Sequence, residues 1–289
     1  MKKAVVVGGL GYLGYEVVRI LMQTAGVDSV LVIDNNMYGK WEEHELEELS
    51  VELSIKNVLH YNFDEIITTD VSCVFVCSTI DVSSFYNAHT LQHCERYFDW
   101  MNAFCEHCVS HGIQFIHPFT HTGHVTLPEF LEEHTLDCPV LYGTAPAFRS
   151  DTLINNMVLS FALEKMYGME DNPLQDVTFC NVVEYANALV QGKIPDIARV
   201  PMIGLVNIIQ WMYGPEYSIH MPHIPDIAKT YQYQVSLHKK DFDTLELFVN
   251  EIKRGIEVGH VEELCKEQYN NVSVLSGIVN SLKYKGRLD

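Results

Sequence analysis

The chain has 289 residues, 47% hydrophobic and 20% charged, a composition that supports a sizeable globular core and contains no apolar stretch long enough for a spanning helix. Its net charge of −19, with the few Lys and Arg scattered, disfavours a phosphate backbone, so nucleic acid is not an expected partner. Eight cysteines without a secreted-framework spacing, and an N-terminus that enters an apolar segment with no signal-peptide core, predict reduced thiols, a cytoplasmic location and no membrane.

Along the chain, apolar strand-length segments alternate with helical patterns, which predicts an α/β protein built on a parallel sheet. The first strand is Ala4–Val7, the first helix Tyr12–Met22 and the second strand Val30–Asp34. Glu42–Leu53 reads as an acidic helix with a solvated face, Asn57–Tyr61 as a short third strand and Cys73–Cys77 as a fourth. An amphipathic helix covers Leu91–Ser110, Gln114–His117 is a fifth strand and Pro139–Tyr142 a sixth, with a helix over Ser150–Met166. Beyond Gly168 the pattern loosens. Val177–Phe179 is extended, Val182–Gln191 helical, Tyr231–Tyr233 strand-like, and Asp243–Gly255 a helix with apolar Leu245, Leu247, Phe248 and Ile252. Trp211-Met212-Tyr213 reads as core or a subunit contact. With no repeat and no flexible linker, residues 1–166 form one expected domain, and 167–289 mostly a smaller C-terminal cap interleaved with it.

The turn Gly8-Gly9-Leu10-Gly11-Tyr12-Leu13-Gly14, between the first strand and the first helix, carries the clearest chemistry. Glycines there allow a tight turn, let the backbone approach a pyrophosphate and permit close helix packing, while helix N-terminal amides meet the negative charge. Asp34 follows Gly14 by twenty positions and ends the second strand, where its carboxylate would accept from the adenosine ribose hydroxyls and repel a 2′-phosphate. Asn35 and Asn36 follow instead of Arg. The expected cofactor is therefore NAD, held by Gly8, Gly11, Tyr12, Leu13, Gly14, Asp34, Asn35 and Asn36 on a Rossmann-like doubly wound sheet.

Further segments, in chain order, resemble the extended short-chain dehydrogenase/reductases, and among them the nucleotide-sugar epimerases and dehydratases. Val32-Ile33-Asp34-Asn35 looks like their second-strand ending, and Cys73-Val74-Phe75-Val76-Cys77-Ser78-Thr79 occupies their fourth-strand position. Phe115-Ile116-His117-Pro118-Phe119-Thr120 sits where that family ends its fifth strand in a catalytic Ser or Thr. Val140-Leu141-Tyr142-Gly143-Thr144-Ala145-Pro146 and Arg149-Ser150-Asp151-Thr152-Leu153-Ile154-Asn155 resemble segments lining the sugar-nucleotide site, and Gln175-Asp176-Val177 looks like a later one with Gln175 in place of Arg. The resemblance implies that Cys77, Ser78, Thr79 and Tyr142 line the cofactor, that Thr79, Arg149, Asn155 and Gln175 meet a nucleotide sugar, and that Thr120 is catalytic. It also implies a homodimer formed through helices such as Leu91–Ser110.

One departure stands out against that resemblance. The family places a Tyr, and a Lys four residues later, between the catalytic Ser or Thr and the sixth strand. Here Pro139 follows Thr120 by only nineteen positions, with no Tyr between Tyr97 and Tyr142 and no Lys between Lys56 and Lys165. Without the Lys to lower a phenol's pKa, the ordinary acid–base group is missing. Histidines past the strand end, His121 and His124, are the candidate replacements, ahead of His117 within the strand. The opposing reading is that these histidines only hydrogen-bond a shortened loop, and that the protein is a non-catalytic NAD-binding sensor. The clusters His117/His121/His124 and Cys105/His107/Cys108/His111 lack the paired spacing of a zinc site, so no metal is expected.

Overall fold

The computed structural model describes residues 2–35, 51–78, 88–120, 127–145, 148–149, 152–164, 166–168, 174–220 and 237–257. Strands β1 (Lys3–Val7), β2 (Ser29–Asp34), β3 (Glu52–Ile55), β4 (Val71–Val76), β5 (Gln114–Phe119) and β6 (Thr135–Asp137) form one six-stranded sheet in the order β3-β2-β1-β4-β5-β6. Every pairing in it is parallel. A parallel sheet is covered on both faces, which explains why β1 reads as an unbroken apolar run: Ala4, Val5, Val6 and Val7 are all buried. From β1 the chain steps outward to β2 and β3, then returns to β4 on the other side of β1. That reversal opens a crevice at the carboxyl ends of β1 and β4, the usual ligand position in open α/β sheets.

Helices α1 (Tyr12–Gln23) and, much later, α6 (Val182–Val190) cover one face, where Leu13, Val17 and Leu21 meet Tyr185, Ala186 and Leu189. The opposite face carries α2 (Phe63–Ile66), α3 (Ala88–Ser110) and the one-turn α4 (Glu129–Glu133). There Phe98, Met101, Phe104, Cys105 and Cys108 of α3 and Leu131 of α4 pack against Val5, Val7, Val74 and Val76.

β6 and β7 (Val140–Tyr142) are separated only by Cys138 and Pro139. Cys138 N–H still donates to Phe119 O at 2.9 Å, but Pro139 has no N–H to continue the ladder. The strand therefore changes partners there. β7 pairs in parallel with β9 (Asp176–Asn181), and β10 (Ala198–Pro201) adds antiparallel to β9. Around β7, β9 and β10, a C-terminal unit packs α5 (Leu153–Glu164), α7 (Met202–Tyr213) and α8 (Lys239–Glu257) into one core with Tyr142, Phe161, Phe179, Val206 and Phe248. A small parallel pair, β8 (Met166–Gly168) with β11 (Ser218–His220), completes it.

Three expectations need correction. Asn57–Tyr61 is not a strand: the Asn57 side chain accepts from Leu59 N–H and caps a 3-10 turn over Val58–His60. The third strand is Glu52–Ile55, whose first residues the acidic-helix reading had absorbed; residues 36–50 lie outside the described residues, as does Tyr231–Tyr233. The sixth strand against β5 is Thr135–Asp137, while Val140–Tyr142 pairs with β9. Trp211 is 70% exposed and stands 6.0 Å from the Phe242 ring, whereas Tyr213 is core.

Candidate functional site

The Gly8–Gly14 turn is dictated by packing at close quarters. Gly8 has φ +77°, and a Cβ there would stand 2.5 Å from the Ser78 backbone nitrogen; one on Gly14 would overlap the Gly8 carbonyl oxygen. Gly8 N–H donates to Ile33 O (2.7 Å) and Gly11 N–H to Gly8 O (3.1 Å). Leu10 N–H donates to Asp34 Oδ2 at 2.9 Å, so the acid that ends β2 is tied directly to the turn. α1 starts on Gly11 in extended conformation, with no side-chain cap and no acid in its first turn. Its first amides, from Tyr12, Leu13 and Gly14, thus form a positive helix end beside the β1/β4 crevice.

The ends of the next strands complete the edge. Cys77 and Ser78 N–H both donate to Val7 O, at 2.8 and 3.1 Å. Ser78 Oγ and Tyr97 Oη lie 2.7 Å apart, and the Tyr97 hydroxyl donates to Ser78 O at 2.9 Å. Thr120 follows β5 with an exposed side chain whose Oγ1 donates to Cys138 O at 3.1 Å. Cys77 and Cys138 pack into the layer under α1 and α6. Burial pushes the Cys138 thiol up to about 11, with hydrogen bonding to Tyr185 and Thr120 pulling the other way, so it is protonated near neutral pH.

The residues expected to meet a substrate are placed in two different ways. Asn155 is fully buried and uses its whole amide internally: Oδ1 accepts from Gly143 N–H (3.2 Å), while Nδ2 donates to Arg149 O (2.8 Å) and Tyr12 Oη (3.2 Å). Tyr12 Oη in turn donates to Gly143 O at 2.6 Å, and burial raises its phenol pKa. Arg149 is half-buried, close enough for its charge to act on that phenol. Tyr142 is 2% exposed, with its ring 5.7 Å from Phe248. The structure thus gathers Tyr12, Gly143, Arg149 and Asn155 into one cluster. Gln175 stands apart and exposed before β9, its carbonyl accepting from Met202 N–H at 2.8 Å.

Asn36, Thr79, His121 and His124 lie outside the described residues. His117 is described: it is 1% exposed in β5, and its Nδ1 lies 3.1 Å from Thr135 Oγ1. Cys105 and Cys108 point into the core, while half-buried His107 packs on Phe63 and meets the exposed His111 with ring centroids 4.3 Å apart. Among the described residues no group of three or more His, Cys, Asp or Glu could hold a metal ion, and no helix is long and apolar enough to cross a membrane. Tyr97 carries no signal in the sequence that sets it apart from the other tyrosines; only the packing of α3 on the sheet brings its hydroxyl to Ser78 at the end of β4.

At the level of sequence, no protein-family model and no curated protein matches the chain. Solved structures do match. UDP-N-acetylglucosamine 4-epimerase from Methanobrevibacter ruminantium, in complex with UDP-N-acetylmuramic acid, aligns with a TM-score of 0.64 at 15% identity over 86% of this chain and 97% of the epimerase. UDP-glucuronic acid 4-epimerase from Bacillus cereus, in complex with NAD, aligns at 0.60 and 14% identity over 87% and 99%. The Bordetella bronchiseptica enzyme WbmF, in complex with NAD+ and UDP, aligns at 0.60 and 15% identity over 92% and 96%. The chain therefore shares its fold with these two 4-epimerases and with WbmF.

Proposed function

We propose that the chain binds NAD along the carboxyl edge of its main sheet and acts on a nucleotide sugar as an epimerase- or dehydratase-like oxidoreductase with an atypical active site. The observation that carries the first half is the turn itself: glycines that a Cβ would break, an uncapped helix end, and Asp34 bonded to Leu10 N–H at the strand-order reversal. Asp34 selects NAD by accepting from the adenosine ribose and repelling a 2′-phosphate, and the α1 amides face the pyrophosphate. Bound NAD supplies a hydride acceptor for a substrate carbinol. Thr120, exposed past β5 with its own proton donated to Cys138 O, presents oxygen lone pairs to a substrate hydroxyl. His121 and His124 are the groups in this reading that take the proton.

A second reading has its own support. Among the described residues, the connection from Thr120 to β6 contains only the one-turn α4, and Asn155 and Tyr142 are committed to the interior. A protein that binds NAD without turnover, as a sensor, would keep the turn and lose the rest in this way.

Calorimetric titration separates the readings. Under the enzyme reading NAD binds, Asp34→Ala weakens it at least roughly tenfold, and a UDP-, GDP- or dTDP-sugar binds more tightly once NAD is present. Tight NAD binding with every sugar silent leaves the sensor, and absence of NAD binding rejects both.

A further inference from the structure

We propose that Tyr97 is a positioning residue of the cofactor cleft, which fixes Ser78 at the end of β4 and so sets the nicotinamide half of the bound dinucleotide; the inference rests on the NAD-binding reading above. Tyr97 projects from α3, 5% exposed, with its ring against Phe98. Its hydroxyl lies 2.7 Å from Ser78 Oγ and donates to Ser78 O at 2.9 Å. Since that single proton goes to the carbonyl, the Ser78 hydroxyl must be the donor of the first bond. Ser78 N–H is held by Val7 O at 3.1 Å. The residue is therefore pinned at its amide, its carbonyl and its side chain, two of the three by one phenol.

Fixing matters here because of what lies opposite. Ser78 fills the space that a Cβ on Gly8 would occupy, its nitrogen 2.5 Å and its Cα 2.6 Å from that point. Any shift of Ser78 closes or opens the floor of the crevice beside the glycine turn. The order of strands says which half of the ligand feels it. Asp34 ends β2 on one side of β1, and Ser78 follows β4 on the other. With the ribose of adenosine at Asp34 and the pyrophosphate at β1, the far half of the dinucleotide must run toward β4.

The test compares two ligands in the full-length chain. Tyr97→Phe removes one oxygen, leaves the apolar ring in place, and is expected to weaken NAD binding roughly tenfold while leaving ADP, which ends at the pyrophosphate, unchanged. A loss of packing would weaken both ligands alike. Ser78→Ala should show the same split, and the double variant should be no weaker than Tyr97→Phe alone, because loss of the phenol oxygen already removes both of its bonds to Ser78. NAD binding unchanged in Tyr97→Phe, or ADP weakened equally, overturns the proposal while the NAD reading stands. A wild-type chain that binds neither ligand overturns both.

Discussion

At the middle of β5 the His117 ring is 1% exposed, between Phe115 and Phe119. Thr135 Oγ1 spends its proton on Leu131 O at 2.8 Å, so the imidazole Nδ1 must carry the hydrogen that reaches Thr135 at 3.1 Å. The ring is thus a neutral strut between β5 and the first residue of β6. Burial lowers its pKa from 6.5 to about 4. The unfolded chain therefore binds this proton more tightly than the folded one, and stability rises with pH across that window. The contribution is fully present above about pH 6.5 and declines as pH falls toward 4, by an order of about 3 kcal/mol in total. His117→Asn keeps an N–H facing Thr135 but cannot titrate. Urea unfolding midpoints measured between pH 4 and 6.5 should fall steeply in the wild type and flatten in the variant; parallel curves would show that another group carries the pH dependence.

Among elements, the joint between β1 and α1 tolerates least. A Cβ on Gly14 would collide with Gly8 O, Gly8 C (2.8 Å) and Gly9 Cα (2.9 Å), all backbone, so no side chain can swing away. On Gly11 the nearest atom would be Gly8 O at 3.2 Å, a contact that a small shift relieves. Gly14→Ala should therefore cost about 2–3 kcal/mol in denaturant unfolding and abolish NAD binding, and Gly11→Ala markedly less; equal effects would mean that the turn yields as a whole. This joint was legible in the sequence because close packing admits only glycine and because β1, β2 and β4 are buried on both faces. Their apolar runs are local signals. β3 and β6 were not legible: Glu52–Ile55 lies on an edge with a charged residue in a four-residue run, and Thr135–Asp137 has three residues and no periodicity. Each exists because a neighbouring strand offers it a ladder. The partner change at Pro139 is of the same kind, since Pro says where a ladder stops and not which strand comes next. In the candidate site, the glycine turn was readable from spacing, whereas the burial of Asn155 and Tyr142 depends on how the C-terminal helices close over them.

For the molecule as a whole, the question is whether the six-stranded sheet and the C-terminal unit fold as one. The two units interleave across residue 166: α6 returns to cover α1, while Tyr142 and Phe161 pack with Phe179 and Phe248 in the other core. Asn155 sits at the seam. It belongs to α5, whose Ile154, Met157 and Val158 pack in the C-terminal core, yet its amide bonds Tyr12 of α1 and the Gly143 N–H just past β7. Thr144 Oγ1 bonds Glu251 Oε2 of α8 at 2.7 Å a residue further on. Asn155→Ala would leave the buried Gly143 N–H and Arg149 O without this partner, a loss of about 3 kcal/mol, or about 5 °C in Tm for a chain of this size. Because the seam joins two cores instead of lying inside one, the shift should appear in every probe of unfolding. Differential scanning calorimetry of the wild type should give a single peak, and Asn155→Ala should move that peak intact. Two peaks in the wild type would mean that the halves fold independently. A variant in which only the C-terminal transition moves would mean that the Tyr12–Asn155 bond carries no coupling, and that a ligand bound at the glycine turn has no route through it to the C-terminal half.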